Sequence, residues 1–372
     1  LTRVVVKDNF KVGHFTVSFV DLEVPVAGIP IQIGRTYDSR DKRSGDFGPG
    51  WRLDVSNVRV EETGITGSGW IATRSFGQIP TYCLQAQTPK VVTVTLPNGM
   101  VLEFDAVITP SCRSFVPPED VTFSYRARPG TQGTLTPVGG SVATTPGGWP
   151  EAGGSAPMQL FRVPDYTLFD PAAYQLTLPD GRAFVISQLD GLQRITDLSG
   201  NVLTVGRNGI THSSGRGVSF VRNPAGAITS VVDPMGRATG FGYGPTGDLE
   251  SVTDREGHAT RFRYHPVIAH HLESIQDPLG RTPLRNEYDE SGRLKRHIDA
   301  FGKVIEYTHS IGTRQEIVRD RNGKQRVLEY DARGNVEREI DPTGKAVVRT
   351  FDARNNRLTE TVAHVPGTPD PP

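Results

Sequence analysis

The sequence predicts an all-β protein in which consecutive antiparallel hairpins form one long curved sheet. A turn phrase, Asp-x-x-Gly, recurs from residue 233 to residue 344 at steps of 21 to 23 residues. After each phrase the side chains alternate with a period of two residues, which is the period of a β-strand. Gly or Pro interrupts every window long enough for a helix, and a 3.6-residue pattern is absent. Turns at about every ten or eleven residues therefore indicate short strands rather than helical repeats.

The turn phrase itself explains why the chain reverses there. An Asp at the first position of a type I turn accepts a backbone hydrogen bond, Pro presets φ at the second, and Gly at the fourth allows a positive φ. The phrase begins at Asp233, Asp254, Asp277, Asp299, Asp320 and Asp341. Each unit is therefore predicted to be a β-hairpin.

A second turn phrase lies midway between the first ones and follows an aromatic residue. It reads Tyr288-Asp-x-x-Gly and Tyr330-Asp-x-x-Gly, with looser copies at residues 244–247 and 352–356. Aromatic residues at the strand ends, including Tyr243 and Tyr264, predict a ladder on one face of the sheet. Two units place their aromatic residue out of step, at Tyr288 and Tyr307, and we expect β-bulges in both.

Four segments follow from reading the chain in order. Residues 1–105 predict a β-meander that starts or caps the sheet, with Trp51 as a core anchor or, alternatively, a residue on which a ligand stacks. Residues 106–176 are a Pro/Gly-rich insertion, expected to be a mobile loop that is either a solvated decoration or covers a cavity or partner. Residues 177–362 are the hairpin array, with about twelve strands, and residues 363–372 are a Pro-rich terminal linker.

Composition excludes several classes of protein. The 41 basic and 41 acidic residues balance, so nothing favours nucleic acid or an anionic membrane as a partner. No apolar run approaches the roughly 18 residues of a membrane span, and the N-terminus lacks the regions of a signal peptide, so this segment encodes no export signal. Because the first residue is Leu1, we expect an excised piece of a longer protein. Cys83 and Cys112 either pair or remain buried thiols.

The sequence predicts no catalytic, cofactor-binding or metal-binding residues, and hence a protein that is not an enzyme. A nucleophile elbow, a P-loop and a metalloprotease helix are all absent. The repeated aspartates are already explained by turn geometry. His265, His270 and His271 cluster in a widened turn, where solvated histidines are expected more often than a metal site.

The phrases at Tyr288-Asp-x-x-Gly-Arg-Leu294 and Tyr330-Asp-x-x-Gly334 resemble the YD repeats of the Rhs family. That family includes bacterial polymorphic toxins, cocoon-forming subunits of insecticidal toxin complexes, and teneurins. Residues 25–53 are similar to the opening of the repeat region in many of its members. The resemblance implies a sheet that spirals into a hollow shell around a C-terminal toxic domain. The core segment that usually closes the shell has no match here, which again indicates a segment of a longer protein.

Two hypotheses of function follow from these observations. The first is a non-enzymatic shell segment of an exported bacterial protein, secreted or at the cell surface. Its partners would be a C-terminal toxin or passenger domain of the same polypeptide and a secretion or delivery machinery. The alternative is a cell-surface adhesion or carbohydrate-binding module in which exposed aromatic residues such as Tyr243 and Tyr264 bind a glycan. A hydrolytic function would require carboxylates from distant repeats to meet. The passenger, the secretion system, the organism, any glycan specificity and the closure of the shell are not identified by the sequence.

Overall fold

Strands make up nearly all of the regular structure, as predicted. The structure is a computed structural model that describes residues 4–5, 13–56, 58–96, 100–163, 165–353 and 355–364. Among these residues the single helical segment is a 3-10 turn at Asp54–Ser56. No helix in this part of the chain has the length and apolar character needed to cross a membrane. The all-β class is therefore confirmed.

The strands are numbered in chain order. Those of the first half are β1 (Val4–Val5), β2 (Thr16–Val24), β3 (Ile31–Asp38), β4 (Ser44–Gly45), β5 (Gly48–Pro49), β6 (Trp51–Leu53), β7 (Arg59–Glu62), β8 (Trp70–Arg74), β9 (Thr81–Ala86), β10 (Val91–Thr95), β11 (Val101–Thr109), β12 (Cys112–Ser114), β13 (Asp120–Ala127), β14 (Thr134–Pro137), β15 (Val142–Thr144), β16 (Ser155–Met158), β17 (Phe161–Arg162) and β18 (Ala173–Thr177). Those of the second half are β19 (Ala183–Ser187), β20 (Gly191–Thr196), β21 (Val202–Gly206), β22 (Gly209–His212), β23 (Gly217–Arg222), β24 (Ile228–Val232), β25 (Ala238–Tyr243), β26 (Leu249–Thr253), β27 (Ala259–Tyr264), β28 (Leu272–Gln276), β29 (Leu284–Tyr288), β30 (Leu294–Asp299), β31 (Val304–Ser310), β32 (Gln315–Arg319), β33 (Gln325–Tyr330), β34 (Val336–Ile340), β35 (Lys345–Phe351) and β36 (Arg357–His364).

One antiparallel sheet, here called the main sheet, contains 26 of these strands: β7, β10, β11, β13–β15 and β17–β36. From β18 onward each strand pairs with the next one along the chain, as expected of successive hairpins. A four-stranded N-terminal sheet has the order β1-β2-β3-β6, and a four-stranded side sheet has the order β12-β9-β8-β16. The array after residue 181 holds 18 strands (β19–β36), more than the twelve predicted, because the chain reverses at almost every turn signal.

Residues 106–176, which we predicted to be an insertion loop, contain strands instead. The segment contains β12 to β17 and the ends of β11 and β18, so it is not a mobile loop. Strand β13 alternates buried and exposed residues along its length and pairs with β11 on one side and with β14 and β15 on the other. Residues 363 and 364, assigned to the terminal linker, end β36, whereas residues 365–372 lie outside the described part.

A disulfide joins Cys83 to Cys112, which resolves the two alternatives left open by the sequence. The two cysteines face each other across the β9–β12 pair of the side sheet. The bond therefore crosslinks the short strand β12 to the body of the side sheet.

Most of the buried apolar residues of the main sheet lie on one face. Direct pairing carries this face from strand to strand, for example from Leu135 to Leu176 and from Leu176 to Phe184. The side sheet covers it from β7 to β20, and the N-terminal sheet covers it from β21 to β30. Ile195 and Val205 contact both clusters, so the two covering layers meet there.

The main sheet curves back towards its own beginning. The side-chain amide of Asn356, the residue before β36, donates to the carbonyl oxygen of Val101 at 2.7 Å, and its amide oxygen accepts the Val101 N–H at 2.9 Å. Val101 starts β11, which is about twenty strand spacings, or roughly 100 Å along the sheet, from β36. Residues that far apart along the sheet can touch only if the sheet is rolled.

Candidate functional site

The repeated aspartates hold the turns together with their carboxylates. At each turn the Asp Oδ1 accepts the backbone N–H groups two and four residues later, at 2.8–3.0 Å. The same pair of bonds forms at Asp233, Asp254, Asp277, Asp289, Asp299, Asp320, Asp331 and Asp341. These carboxylates are therefore engaged in turn structure, as the sequence predicted.

Electrostatics keeps the carboxylates of Asp233 and Asp277 ionised. Burial opposes ionisation of Asp233, but backbone N–H groups and the guanidinium groups of Arg255 and Arg237 outweigh it and lower the pKa of Asp233 to about 2. At Asp277 the hydrogen bond from Arg281 makes the largest contribution, and the pKa is again lowered. A carboxylate held in this state cannot act as a general acid near neutral pH.

The tyrosines at the strand ends form a hydrogen-bonded ladder. The hydroxyl groups of Tyr243, Tyr264 and Tyr288 donate to backbone carbonyl oxygens 15 or 16 residues earlier, at 2.5, 2.9 and 2.7 Å. All three side chains pack partly buried against the core shared with the N-terminal sheet, and burial raises the pKa of each. The sequence predicted the aromatic ladder, but the idea that Tyr243 and Tyr264 are exposed for a glycan is wrong, because core packing and a backbone carbonyl engage them.

β-Bulges coincide with the regular ladder positions. Register shifts occur next to Tyr243, Tyr264, Tyr288 and Tyr330. The bulge expected at Tyr288 is thus confirmed, whereas the one expected near Tyr307 is wrong because β31 and β32 pair without a register shift. The register shift lets the tyrosine side chain turn back across the neighbouring strand.

Tyr37 and Trp51 anchor the N-terminal sheet to the main sheet. The fully buried Tyr37 hydroxyl donates to the carbonyl oxygen of His270 at 2.7 Å and accepts the N–H of Leu272 at 2.9 Å. The indole N–H of Trp51 donates to the hydroxyl of Tyr264 at 2.8 Å. Trp51 is completely buried, so the core-anchor prediction is confirmed and the ligand-stacking alternative is not supported.

A buried arginine completes the interface between these sheets. The Arg35 guanidinium lies 4.2 Å from the ring centre of Phe19 and 4.7 Å from that of Trp51, and its Nε bonds to Asp21 at 2.6 Å. The Phe262 ring of the main sheet lies 5.0 Å from the same guanidinium. Aromatic faces and one carboxylate thus compensate the buried charge.

A partly buried polar cluster surrounds Glu62 of β7. Its carboxylate accepts hydrogen bonds from the hydroxyl of Tyr174, from Gln188 Nε2 at 2.9 Å and from Thr66 Oγ1 at 2.8 Å. Burial raises the pKa of Glu62. Because three donors already satisfy the carboxylate and the donors belong to packed strands and turns, the cluster has the character of a structural network.

The three histidines of the widened turn do not converge on a common point. His270 Nδ1 lies 2.8 Å from Asp248 Oδ1, His271 Nδ1 bonds to the carbonyl of Ala269, and His265 Nδ1 accepts nearby backbone N–H groups. Within the described residues the one group with metal-ligand proximity is the exposed set Asp254, Glu256 and His258, all in a single turn. The Asp254 carboxylate there already accepts two backbone N–H groups.

The geometry defines a rolled antiparallel sheet built from Asp-Gly turns and a tyrosine ladder. A family model described as RHS Repeat matches residues 222–259, which include β24 to β26. A model described as Domain of unknown function (DUF6531) matches residues 9–104, which include β2, β3 and β6 of the N-terminal sheet. The resemblance to the Rhs family is thereby confirmed over residues 222–259. No significant match was found among curated proteins.

Solved structures of toxin complexes are also similar to this chain. The crystal structure of TcdB2-TccC3 without its hypervariable C-terminal region is 10% identical, with 95% of this chain and 22% of that chain covered and a TM-score of 0.30. The crystal structure of TcdB2-TccC3 is also 10% identical, with 95% of this chain and 23% of that chain covered and a TM-score of 0.30. A Tc holotoxin pore from Photorhabdus luminescens with a mutation in TccC3 is 11% identical, with 93% of this chain and 27% of that chain covered and a TM-score of 0.28. The chain spans about a quarter of the length of these structures.

Proposed function

We propose that this chain is a non-enzymatic segment of an exported shell that encloses a toxin or passenger domain of the same parent polypeptide. The Rhs-repeat match supports a structural role. The observation that carries the proposal is the rolled main sheet, whose distant strands β11 and β36 are joined through Val101 and Asn356. A sheet that returns to its own start is suited to enclosing a volume.

The distribution of polar groups supports a role without catalysis. Turn backbones engage the repeated carboxylates, backbone carbonyls engage the ladder tyrosines, and three donors satisfy Glu62. The repeated turn carboxylates and the hydroxyl groups of Tyr243, Tyr264 and Tyr288 thus have structural partners. We infer that the passenger, rather than the sheet, carries any toxic activity.

Location and partners follow from the same proposal. A shell of this family would be secreted or displayed at the cell surface by a delivery machinery, and its passenger would be its principal partner. The balanced charge of the chain offers no electrostatic reason to expect nucleic acid. The carbohydrate-binding alternative receives no support, because the aromatic residues on which it depended are engaged in the core.

The test uses the full-length parent protein and follows protease protection of its passenger. We expect electron microscopy to show an interior volume that contains passenger density, and added protease to cleave the enclosed passenger at least tenfold more slowly than the isolated passenger. An empty or absent interior, or equal cleavage rates, would refute enclosure.

A variant of the contact between β11 and β36 links the test to this structure. Asn356→Ala removes both hydrogen bonds to Val101, so passenger protection should decrease. Asn322→Ala is the matched control, because Asn322 is an exposed turn residue whose backbone alone bonds to Asp320. Equal protection in the two variants would contradict a role for this contact in closure.

A further inference from the structure

One hairpin carries an ionisable pair where its neighbours carry a tyrosine and an aliphatic residue. Four regular hairpins pair Tyr243 with Leu249, Tyr264 with Leu272, Tyr288 with Leu294, and Tyr330 with Val336. The β31–β32 hairpin instead pairs His309 with Glu316. These two side chains are only 8% and 5% exposed. A buried charged pair in an otherwise apolar row requires a specific explanation.

His309 takes the place of a ladder tyrosine. Its Nε2 lies 2.8 Å from the carbonyl oxygen of Leu294, 15 residues earlier, which is the spacing of the tyrosine bonds. Its Nδ1 lies 2.7 Å from Glu316 Oε2. A carbonyl oxygen can only accept, so Nε2 must carry a proton, and a second proton on Nδ1 gives an imidazolium paired with the carboxylate.

Glu316 connects this pair to the beginning of the N-terminal sheet. Its Oε2 accepts the N–H of Gly13 at 3.1 Å in a buried contact, and the Gly13 carbonyl accepts the N–H of Leu294 at 3.2 Å. A Cβ at Gly13 would lie 2.8 Å from Cβ of Arg293, and φ there is +68°. The chain leading into β2 is thus held closely against the β30–β32 region.

We propose that His309 and Glu316 form a proton-dependent latch that holds the start of the N-terminal sheet on the main sheet. While His309 is protonated, its charge balances Glu316, and the carboxylate is fixed to accept the Gly13 N–H. When His309 loses the Nδ1 proton, Glu316 loses the cation that lies 2.7 Å from its Oε2, and the contact with Gly13 weakens. This regulation of the N-terminal sheet goes beyond the shell function proposed above.

Charges from the surrounding elements set the direction of the response. Asp289 of the turn before β30 favours the protonated form of His309, and Tyr307 lies on the same strand. Arg40 of the turn after β3 interacts with the charges of both Glu316 and Arg293. Burial raises the pKa of Tyr307, and the positive charges of Arg321 and Arg326 oppose this increase. Burial lowers the pKa of His309, but the nearby Glu316 carboxylate and the bond to Leu294 outweigh it, and the net direction is upward. The contribution of the latch is therefore full below about pH 6.5 and is lost as pH rises through the folded-state pKa.

The test compares the full chain with the variant His309→Tyr/Glu316→Leu, which restores the pair found in the neighbouring hairpins. Trp51 fluorescence reports separation of the N-terminal sheet, with Trp70 and Trp149 replaced by Phe in both proteins. We expect the equilibrium constant for separation, measured in urea, to rise by up to about tenfold per pH unit above pH 6.5 in the parent. The double variant should show no such rise, although it keeps the other histidines of the interface, His14 and His297.

A direct titration of His309 keeps the proposal falsifiable if the double variant does not fold. The NMR signal of the His309 ring should titrate above pH 6.5 in the parent and shift towards lower pH in Glu316→Gln. Titration below pH 6.5 in the parent, or an equal pH dependence of separation in the parent and the double variant, would overturn the latch.

Discussion

Replacing Tyr37 with phenylalanine should loosen the N-terminal sheet from the main sheet without changing the shape of the core. The hydroxyl satisfies two buried backbone groups, the carbonyl of His270 and the N–H of Leu272, at 2.7 and 2.9 Å. Each buried backbone group left without a partner costs about 1–3 kcal/mol. Because Lys42 Nζ also donates to the His270 carbonyl at 3.2 Å, the larger loss is at Leu272. We therefore expect a destabilisation of about 2–3 kcal/mol rather than the full sum.

The measurement is urea denaturation followed by tryptophan fluorescence at neutral pH. Trp51 is a direct reporter because its ring centre lies 5.3 Å from that of Tyr37. With a slope of about 1–3 kcal/mol per molar urea, a loss of this size moves the midpoint of the N-terminal transition down by about 0.7–3 M. Tyr330→Phe is the matched control, because Tyr330 occupies a ladder position and its hydroxyl has no hydrogen bond within the described residues.

The reasoning would be refuted by a Tyr37→Phe variant within about 0.5 kcal/mol of the parent, which is the range of an ordinary surface substitution. Equal effects of Tyr37→Phe and Tyr330→Phe would also refute it, since the loss of stability would then follow from removing any tyrosine hydroxyl. A selective effect of Tyr37→Phe assigns the loss to the contact between the two sheets.

Three further predictions concern the turns and the crosslink. Because the pKa of Asp233 is lowered to about 2, its contribution to stability is full above about pH 4 and is lost towards pH 2, so Asp233→Asn should flatten the fall of the urea midpoint over that range. Gly48→Ala should destabilise the protein by at least about 1 kcal/mol more than Gly257→Ala, measured by thermal unfolding, because both have φ near +86° but only the Cβ at Gly48 would meet a carbonyl oxygen, at 2.4 Å. A thiol reductant should lower the unfolding free energy of the side sheet by about 3 kcal/mol through the 29-residue Cys83–Cys112 link, and the Cys83→Ser/Cys112→Ser variant should not respond.

Local chemistry explains what the sequence predicted correctly. An Asp-x-x-Gly turn depends on hydrogen bonds between residues two to four positions apart, so the local sequence determines its geometry. The alternation of side chains with a period of two residues likewise follows from the geometry of a single strand. The aromatic ladder was visible for the same reason, although the acceptors of its hydroxyl groups were not.

Composition was misleading in the segment at residues 106–176. Its Pro-Gly and Gly-Gly pairs indicated a loop, yet Val121, Phe123 and Tyr125 alternate with polar residues and are buried. The pattern of β13 was therefore present in the sequence. Glycines and prolines in this segment mark the turns between short strands.

Docking of the N-terminal sheet could not be predicted, because its bonds join residues more than 200 positions apart, as between Tyr37 and His270 or Gly13 and Glu316. Such contacts depend on how the whole sheet rolls. No repeat or turn signal encodes the partner of a particular side chain at that distance.

Departures from the repeat, however, coincide with the docking contacts. The turn at residues 265–271 carries extra residues, and there His270 takes a φ of +59° and presents its carbonyl to Tyr37 and Lys42. The β31–β32 hairpin lacks the usual bulge, and there Glu316 binds Gly13. Other hairpins contribute as well, since the N–H groups of Leu294 and Ile228 donate to the carbonyl oxygens of Gly13 and Asp46. The irregular units add the His270 carbonyl and the Glu316 carboxylate to these contacts, so breaks in the repeat are one kind of place in this sequence where contacts with a non-repeat segment should be sought.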